Sequence, residues 1–308
     1  MRIDYDPNLI EQTVLEATHS DRRLQRDLHR VVDPLYELAD SEKKNARFQQ
    51  VYTEFFQLLN LDRILSDLID EQPLIQQSVE QCVIRPAPTP RKEAAELYVR
   101  PIADDSQDQC TLMIQVCPRS LLHPDKLAPR FRRELMHVAD MLDPQFGYEK
   151  KSLTGNTPRI NLIRDRFRVL WDICVEGRLA YKGHHDKRME DMLSAQLERV
   201  FAQPANSQEA FQMVYQSDKL THAQLLNWAT SPSELFNTLE VTEGNRNGNL
   251  CPMCGFPTFD WFDSPTELDL IAPTIKKSFA DWNPDQGVCR QCAEIYSGVQ
   301  KASDRILS

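Results

Sequence analysis

Glycine is scarce, with nine among 308 residues. None sits in a G-x-S-x-G turn or a glycine-rich phosphate loop, which excludes a serine hydrolase of that type and a P-loop nucleotide enzyme. Positive charge is also short. The 36 Lys and Arg face 46 Asp and Glu, for a formal net charge of -10. A general nucleic-acid coat needs a basic surface to replace counterions, so nucleic acid is not the expected partner. No apolar stretch approaches the roughly 20 residues that cross a bilayer, and the opening MRIDYDPNLIEQ carries no signal-peptide core. The expectation is a cytoplasmic protein with no membrane association.

Apolar residues make up 41% of the chain, enough for at least one core. Residues 1–78 read as a helical N-terminal region. Phe48, Val51, Tyr52, Phe55, Phe56 and Leu59 recur at three and four, continuing through Ile64, Leu65, Leu68 and Ile69, which is a packing face. Three short β-prone runs follow, QCVIRPAP, AAELYVRP and CTLMIQVCP, each closed by proline. They predict a small sheet with an exposed edge. Helical patterns resume at 129–142, with Pro129 in a first turn, at 158–179 and at 186–203, with shorter segments over 207–240. TEGNRNGN (242–249) reads as a linker. The fold class is α+β, divided into a helical region (1–78), a core (79–240) and a C-terminal cysteine module (247–308).

Eight cysteines are present. Cys82, Cys110, Cys117 and Cys174 lie among apolar neighbours and read as small buried hydrophobes. Cys251, Cys254, Cys289 and Cys292 form two C-x2-C pairs separated by 34 residues. Two residues between thiolates let a tight turn aim both sulfurs at one ion, and two turns complete a tetrahedron with no open position, a structural Zn2+ site. Gly255 suits the positive φ such a turn needs. A redox pair or an iron–sulfur cluster is the alternative. Two knuckles on separate hairpins describe a zinc ribbon. Phe256, Phe259, Trp261, Phe262, Phe279 and Trp282 lie between the pairs. They read as the filling of a small module, or else as a surface for a partner or for single-stranded bases.

The stretch PRFRRELMHVADMLDP (129–144) holds Arg133-Glu134-Leu135-Met136-His137, one residue from the H-E-x-x-H zinc peptidase motif. Phe131, Leu135, Val138 and Leu142 make its buried stripe, and Arg133, Glu134, His137 and Asp140 face another way. Arginine keeps its proton and has no lone pair for a metal. The order of short sheet, RRELMHVADMLD and then the helix RDRFRVLWDICVEGRL resembles the gluzincin branch of the zincin metallopeptidases over about residues 80–200. That resemblance implies Glu134 as general base, His137 as a ligand, and Asp172 or Glu176 as a third ligand for a second Zn2+, with Asp165 on the same stripe. Tyr148 would take the place of a transition-state tyrosine. The metallopeptidase-like core before a zinc ribbon is also similar to SprT-like proteins, whose third histidine has no counterpart here. A charge network around His137, half of a di-iron site, and a ligand from His184 or His185 are the other readings.

The expectation is a catalytically inactive metallopeptidase-like protein that acts by binding a protein partner, as an assembly or regulatory factor. One alternative is an active hydrolase on His137, Asp172 or Glu176 with Glu134 as base. Another is a nucleic-acid-associated protein using the cysteine module.

Overall fold

A computed structural model describes residues 1–100, 109–150, 153–155, 157–201, 207–237, 251–256, 258, 260–262, 264–279 and 282–307. The expected linker at 242–249 and Phe259 lie outside these residues. The chain packs as two units, Met1–Pro144 and Gln145–Ser308. Among the described residues it is mostly helical with one four-stranded mixed sheet, which agrees with the α+β expectation at that level.

The first unit opens with β1 (Arg2–Tyr5) and five helices: α1 (Pro7–Ser20), α2 (Arg22–Val32), α3 (Ser41–Leu58), α4 (Arg63–Asp70) and α5 (Pro73–Ser78). Asp6, Asp21 and Asp40 cap the first three through carboxylates that accept from backbone N–H groups, satisfying donors the helices cannot. The apolar periodicity from Phe48 to Ile69 is one face in sequence but two helices in space. Asn60, at φ 55, turns the chain between α3 and α4, a backbone state that asparagine tolerates better than most residues.

The three β-prone runs become β2 (Gln81–Pro86), β3 (Ala94–Arg100) and β4 (Gln109–Val116). The sheet order is β1-β2-β4-β3, with β1, β2 and β4 parallel and β3 antiparallel at one edge. A fourth strand thus comes from the N-terminal segment RIDY. On β4 the burial alternates at every residue, the period of a half-buried strand. Cys82, Ile84, Leu112 and Ile114 share one core with Leu9 and Val14 of α1, Phe56 of α3 and Ile69 of α4. The helices of 1–78 and the sheet therefore fill a single core.

Two helices follow the sheet, the short α6 (Pro118–Leu121) and α7 (Pro124–Leu142). The expected start at Pro129 is corrected, since α7 begins five residues earlier. Pro124 holds the first-turn position and Pro129 lies inside the helix. Phe131, Leu135 and Val138 are fully buried as the stripe predicts. Arg132 reaches back to Glu71 with Nε at 2.8 Å and Nη2 at 2.8 Å from its carboxylate oxygens, a fork geometry that fixes α7 beside the end of α4.

The second unit is built on α8 (Pro158–Tyr181), against which α9 (Lys187–Phe201), α10 (Ser207–Tyr215) and α11 (His222–Thr230) pack, with the short α12 (Pro232–Asn237) beyond. Phe167, Leu170, Trp171 and Cys174 are buried on α8, as their spacing predicts, together with Leu193, Leu197 and Phe201 of α9. The C-terminal residues add α13 (Pro265–Lys276) and α14 (Arg290–Leu307).

Candidate metal centre

The first cysteine pair sits in a tight turn. Gly255 N–H donates to the Cys251 carbonyl at 2.8 Å, and Cys251 N–H donates to the Phe256 carbonyl at 2.7 Å. Gly255 has φ 69, the conformation expected from the glycine after the pair. The turn aims Cys251 and Cys254 at the same point.

The second pair departs from expectation. A zinc ribbon would place it on a second hairpin. Instead Cys289 precedes α14 and Cys292 lies in that helix's first turn, with Ala293 N–H donating to the Cys289 carbonyl at 3.0 Å. Among the described residues the only pairing here is the isolated bridge Trp261–Cys289, reinforced by Arg290 N–H to the Asp260 carbonyl at 2.9 Å. The physical reason is the sequence after the knuckle. QCAEIYSGVQ places Cys292, Ala293 and Tyr296 on one buried face at helical spacing.

The four sulfurs converge within 4.8 Å of one another, and all four residues are buried. All eight cysteines are free thiols, and Cys82, Cys110, Cys117 and Cys174 are buried as their apolar settings predicted. The Cys289 N–H donates to Cys251 Sγ at 3.4 Å, and Cys254 Sγ lies 3.8 Å from Cys289 Sγ. Hydrogen bonds from Cys254, Cys289 and Cys292 hold the Cys251 thiol far below its usual pKa. Those same contacts push the Cys292 thiol up. Four sulfurs this close share their protons unevenly, and all four become thiolates together only around a cation. The start of α14 adds the positive end of a helix dipole. The donor set therefore fits a metal ion.

A charge the sequence reading missed stands beside this cluster. Arg166 of α8 is only 1% exposed. Its guanidinium carbon lies 5.2 Å from the Phe201 ring and 5.6 Å from the Phe256 ring, and Nε donates to the Val200 carbonyl at 3.4 Å. Burial lowers its pKa, while Cys254, Cys292 and Cys289 oppose that shift. Among the described residues Nη2 is buried with no hydrogen-bond partner. A buried, incompletely bonded cation is costly unless an anion faces it. Four thiolates around a divalent metal carry a net double negative charge, and Arg166 is placed to offset part of it. Arg166→Met should therefore weaken metal binding by roughly ten- to a hundredfold, the usual effect of losing a group that supports the ligands. The metal-free form should not lose stability, because its uncompensated cation is gone. Chelator competition and metal-free melting curves measure the two effects separately.

Three aromatic residues of the module have structural occupations. Phe256 is buried against Phe236, with ring centroids 5.5 Å apart, and Trp282 is buried with its Nε1 donating to the Gly287 carbonyl at 3.1 Å. Arg159 covers the Phe279 ring at 5.0 Å. Trp261 and Phe262 are half-buried.

The remaining candidates divide between the units. Arg133, Glu134 and His137 are half-buried on α7 and Asp140 is buried beside them. On α8 the expected carboxylate stripe is not uniform: Asp165 is exposed, Asp172 half-buried and Glu176 1% exposed. His185 Nε2 lies 2.7 Å from Glu190 at the start of α9, and His184 is exposed. Tyr148 packs on Trp171 at 5.6 Å and edge-on to His222 at 5.4 Å. His222 is ringed further by Phe167 and Phe146, and burial lowers its pKa.

Comparison with protein-family models, curated proteins and solved structures finds no match. Among the described residues no helix is long and apolar enough to cross a membrane.

Proposed function

We propose that this chain is a zinc-containing, catalytically inactive protein of metallopeptidase-like build that works by binding a protein partner. The observation that carries the reading is Arg133 on α7, one helical turn before His137. A guanidinium cannot ligate a metal, so α7 offers His137 and the Glu134 carboxylate where the peptidase motif offers two histidines. The order of sheet, RELMH helix and carboxylate-bearing helix runs β2 to β4, α7 and α8, in keeping with the resemblance. At the cysteine cluster four thiolates leave no open coordination position, so the ion there has a structural role, and zinc is the metal that such a set selects.

Protein binding has a surface to use. β3 pairs with β4 alone among the described residues, and Tyr98 and Val99 on it are each 50% exposed. An extended peptide segment can add to such an edge.

The deciding experiment combines metal content with activity. Wild-type protein should carry one zinc per chain and hydrolyse no peptide above background, with or without added zinc. Arg133→His should take up a second zinc and gain thermal stability only when zinc is supplied. If wild type cleaves peptides and Glu134→Gln abolishes this, the reading is wrong. The hydrolase using His137, Asp172 or Glu176 then replaces it.

A further inference from the structure

The parallel strands β2 and β4 end side by side, and beyond their carboxyl ends lies a cavity of about 1150 Å3. Sheets of parallel strands commonly hold ligands at this end, where the chain leaves each strand and turns away. The floor is Ala87 and Cys117, one residue past each strand and both buried. The Ala87 N–H donates to the Val116 carbonyl at 2.9 Å and closes that floor. One wall is the later half of α1, with Leu15, Glu16 and His19. The other is formed by Arg119 of α6 and the start of α7, with His123, Lys126 and Leu127.

Charge says what fits. Arg130 also lines the cavity, but its guanidinium is engaged. Nη1 donates to the Pro90 carbonyl at 2.5 Å, Nη2 donates to the Glu93 carbonyl at 2.8 Å, and Nη1 stands 3.4 Å from the Glu93 carboxylate. That carboxylate also accepts from the Cys117 N–H at 3.0 Å. Arg130 and Glu93 therefore cancel and brace the rim. Arg119 and Lys126 remain, against the single carboxylate of Glu16, with two histidines besides. Both cations are exposed, and neither makes an ion pair among the described residues. On a chain of net charge -10, a cation-rich cavity favours an anion. Lys126 lies in the first turn of the 19-residue α7, whose Asp125 is not among the lining residues, and Arg119 comes from α6. Two separate cations suit a dianion better than a single carboxylate.

Size and wall chemistry narrow the class. Ligand pockets run about 300–1,000 Å3, far more than a bare inorganic anion fills. The remaining wall is mostly apolar, chiefly Pro86, Pro88, Pro118 and Leu15, with Gln12 and Ser120 as its polar members and no Phe, Tyr or Trp. We infer that this cavity binds a small organic phosphate monoester. Arg119 and Lys126 take the phosphate at the start of α7, and the proline-rich wall takes the organic body.

The test is calorimetric titration of the full-length protein with adenosine monophosphate, glycerol 3-phosphate, inorganic phosphate and citrate in about 0.1 M salt. A monoester should bind with Kd below ~1 mM, more tightly than inorganic phosphate or citrate. The double variant Arg119→Glu/Lys126→Glu should weaken it at least tenfold with an unchanged melting temperature, since both residues are exposed. Lys43→Glu, on an exposed pair with Asp40 at the start of α3, should leave binding unaltered. The assignment is overturned if neither monoester binds at ~10 mM, if citrate or inorganic phosphate binds as tightly, or if the double variant and Lys43→Glu lose affinity equally. None of these residues belongs to the cysteine cluster or to the RELMH segment, so failure here leaves the proposed function standing.

Discussion

Cys254→Ser should abolish metal binding by the four-cysteine cluster and unfold the module from Cys251 into α14. The remaining three thiolates hold a divalent ion poorly, and a serine hydroxyl does not deprotonate to replace the fourth. Structural zinc sites contribute apparent binding energies of about 10–16 kcal/mol in small modules, and that energy is folding energy. What the module buries besides its cysteines is modest: Met253, Phe256, Leu268, Ile271, Ile275, Trp282, Val288, Ala293 and Tyr296. The same outcome should follow chelation of the wild type. Elemental analysis gives the stoichiometry, and hydrogen exchange over 251–307 gives the unfolding. Full metal retention in the variant would refute the tetrad.

Gly177→Ala should cost about 2–4 kcal/mol and loosen α10 from α8. The opposing term is helix propensity, which favours alanine over glycine inside a helix by about 1 kcal/mol. Packing decides the sign. A Cβ at position 177 would meet the Tyr215 carbonyl oxygen at 1.8 Å and its carbonyl carbon at 2.7 Å. Both are backbone atoms at the end of α10, so no side chain can swing aside. The helices must separate, opening the contact among Phe211, Val214 and α8. Chemical denaturation of the variant checks it. A melting temperature equal to or above wild type would show that α10 does not rest on the glycine face.

The two cysteine pairs were legible because their chemistry is local. A knuckle is four residues, and the Gly255 conformation follows from the turn it must make. The helix under the second pair was less plain, because C-x2-C suits a hairpin and a helix start equally. Its signal was the helical spacing of Cys292, Ala293 and Tyr296. Arg166 was missed because an arginine on a helix reads as a solvent residue. It nonetheless falls three residues after Ile163 and four before Leu170, both members of the apolar face, and that spacing put it indoors. β2, β3 and β4 were visible as β-prone runs closed by proline. β1 was not, since RIDY is four residues with little apolar content and takes its structure from a partner far along the chain.

That partner sets an order of events in folding. Arg2 pairs with Gln81 and Gln81 with Thr111, separations of 79 and 30 residues, whereas β3 and β4 are neighbours in sequence. Closing a long loop loses chain entropy before any contact compensates it, so distant pairings form late. During synthesis β1 leaves the ribosome long before β2 exists, and β2 in turn precedes β4. Helices α1 to α5 lie within the first of these intervals and can form meanwhile, leaving Leu9, Phe56 and Ile69 exposed until the sheet arrives. The apolar face that joins the two layers is therefore the surface most open to wrong association before the fold is complete.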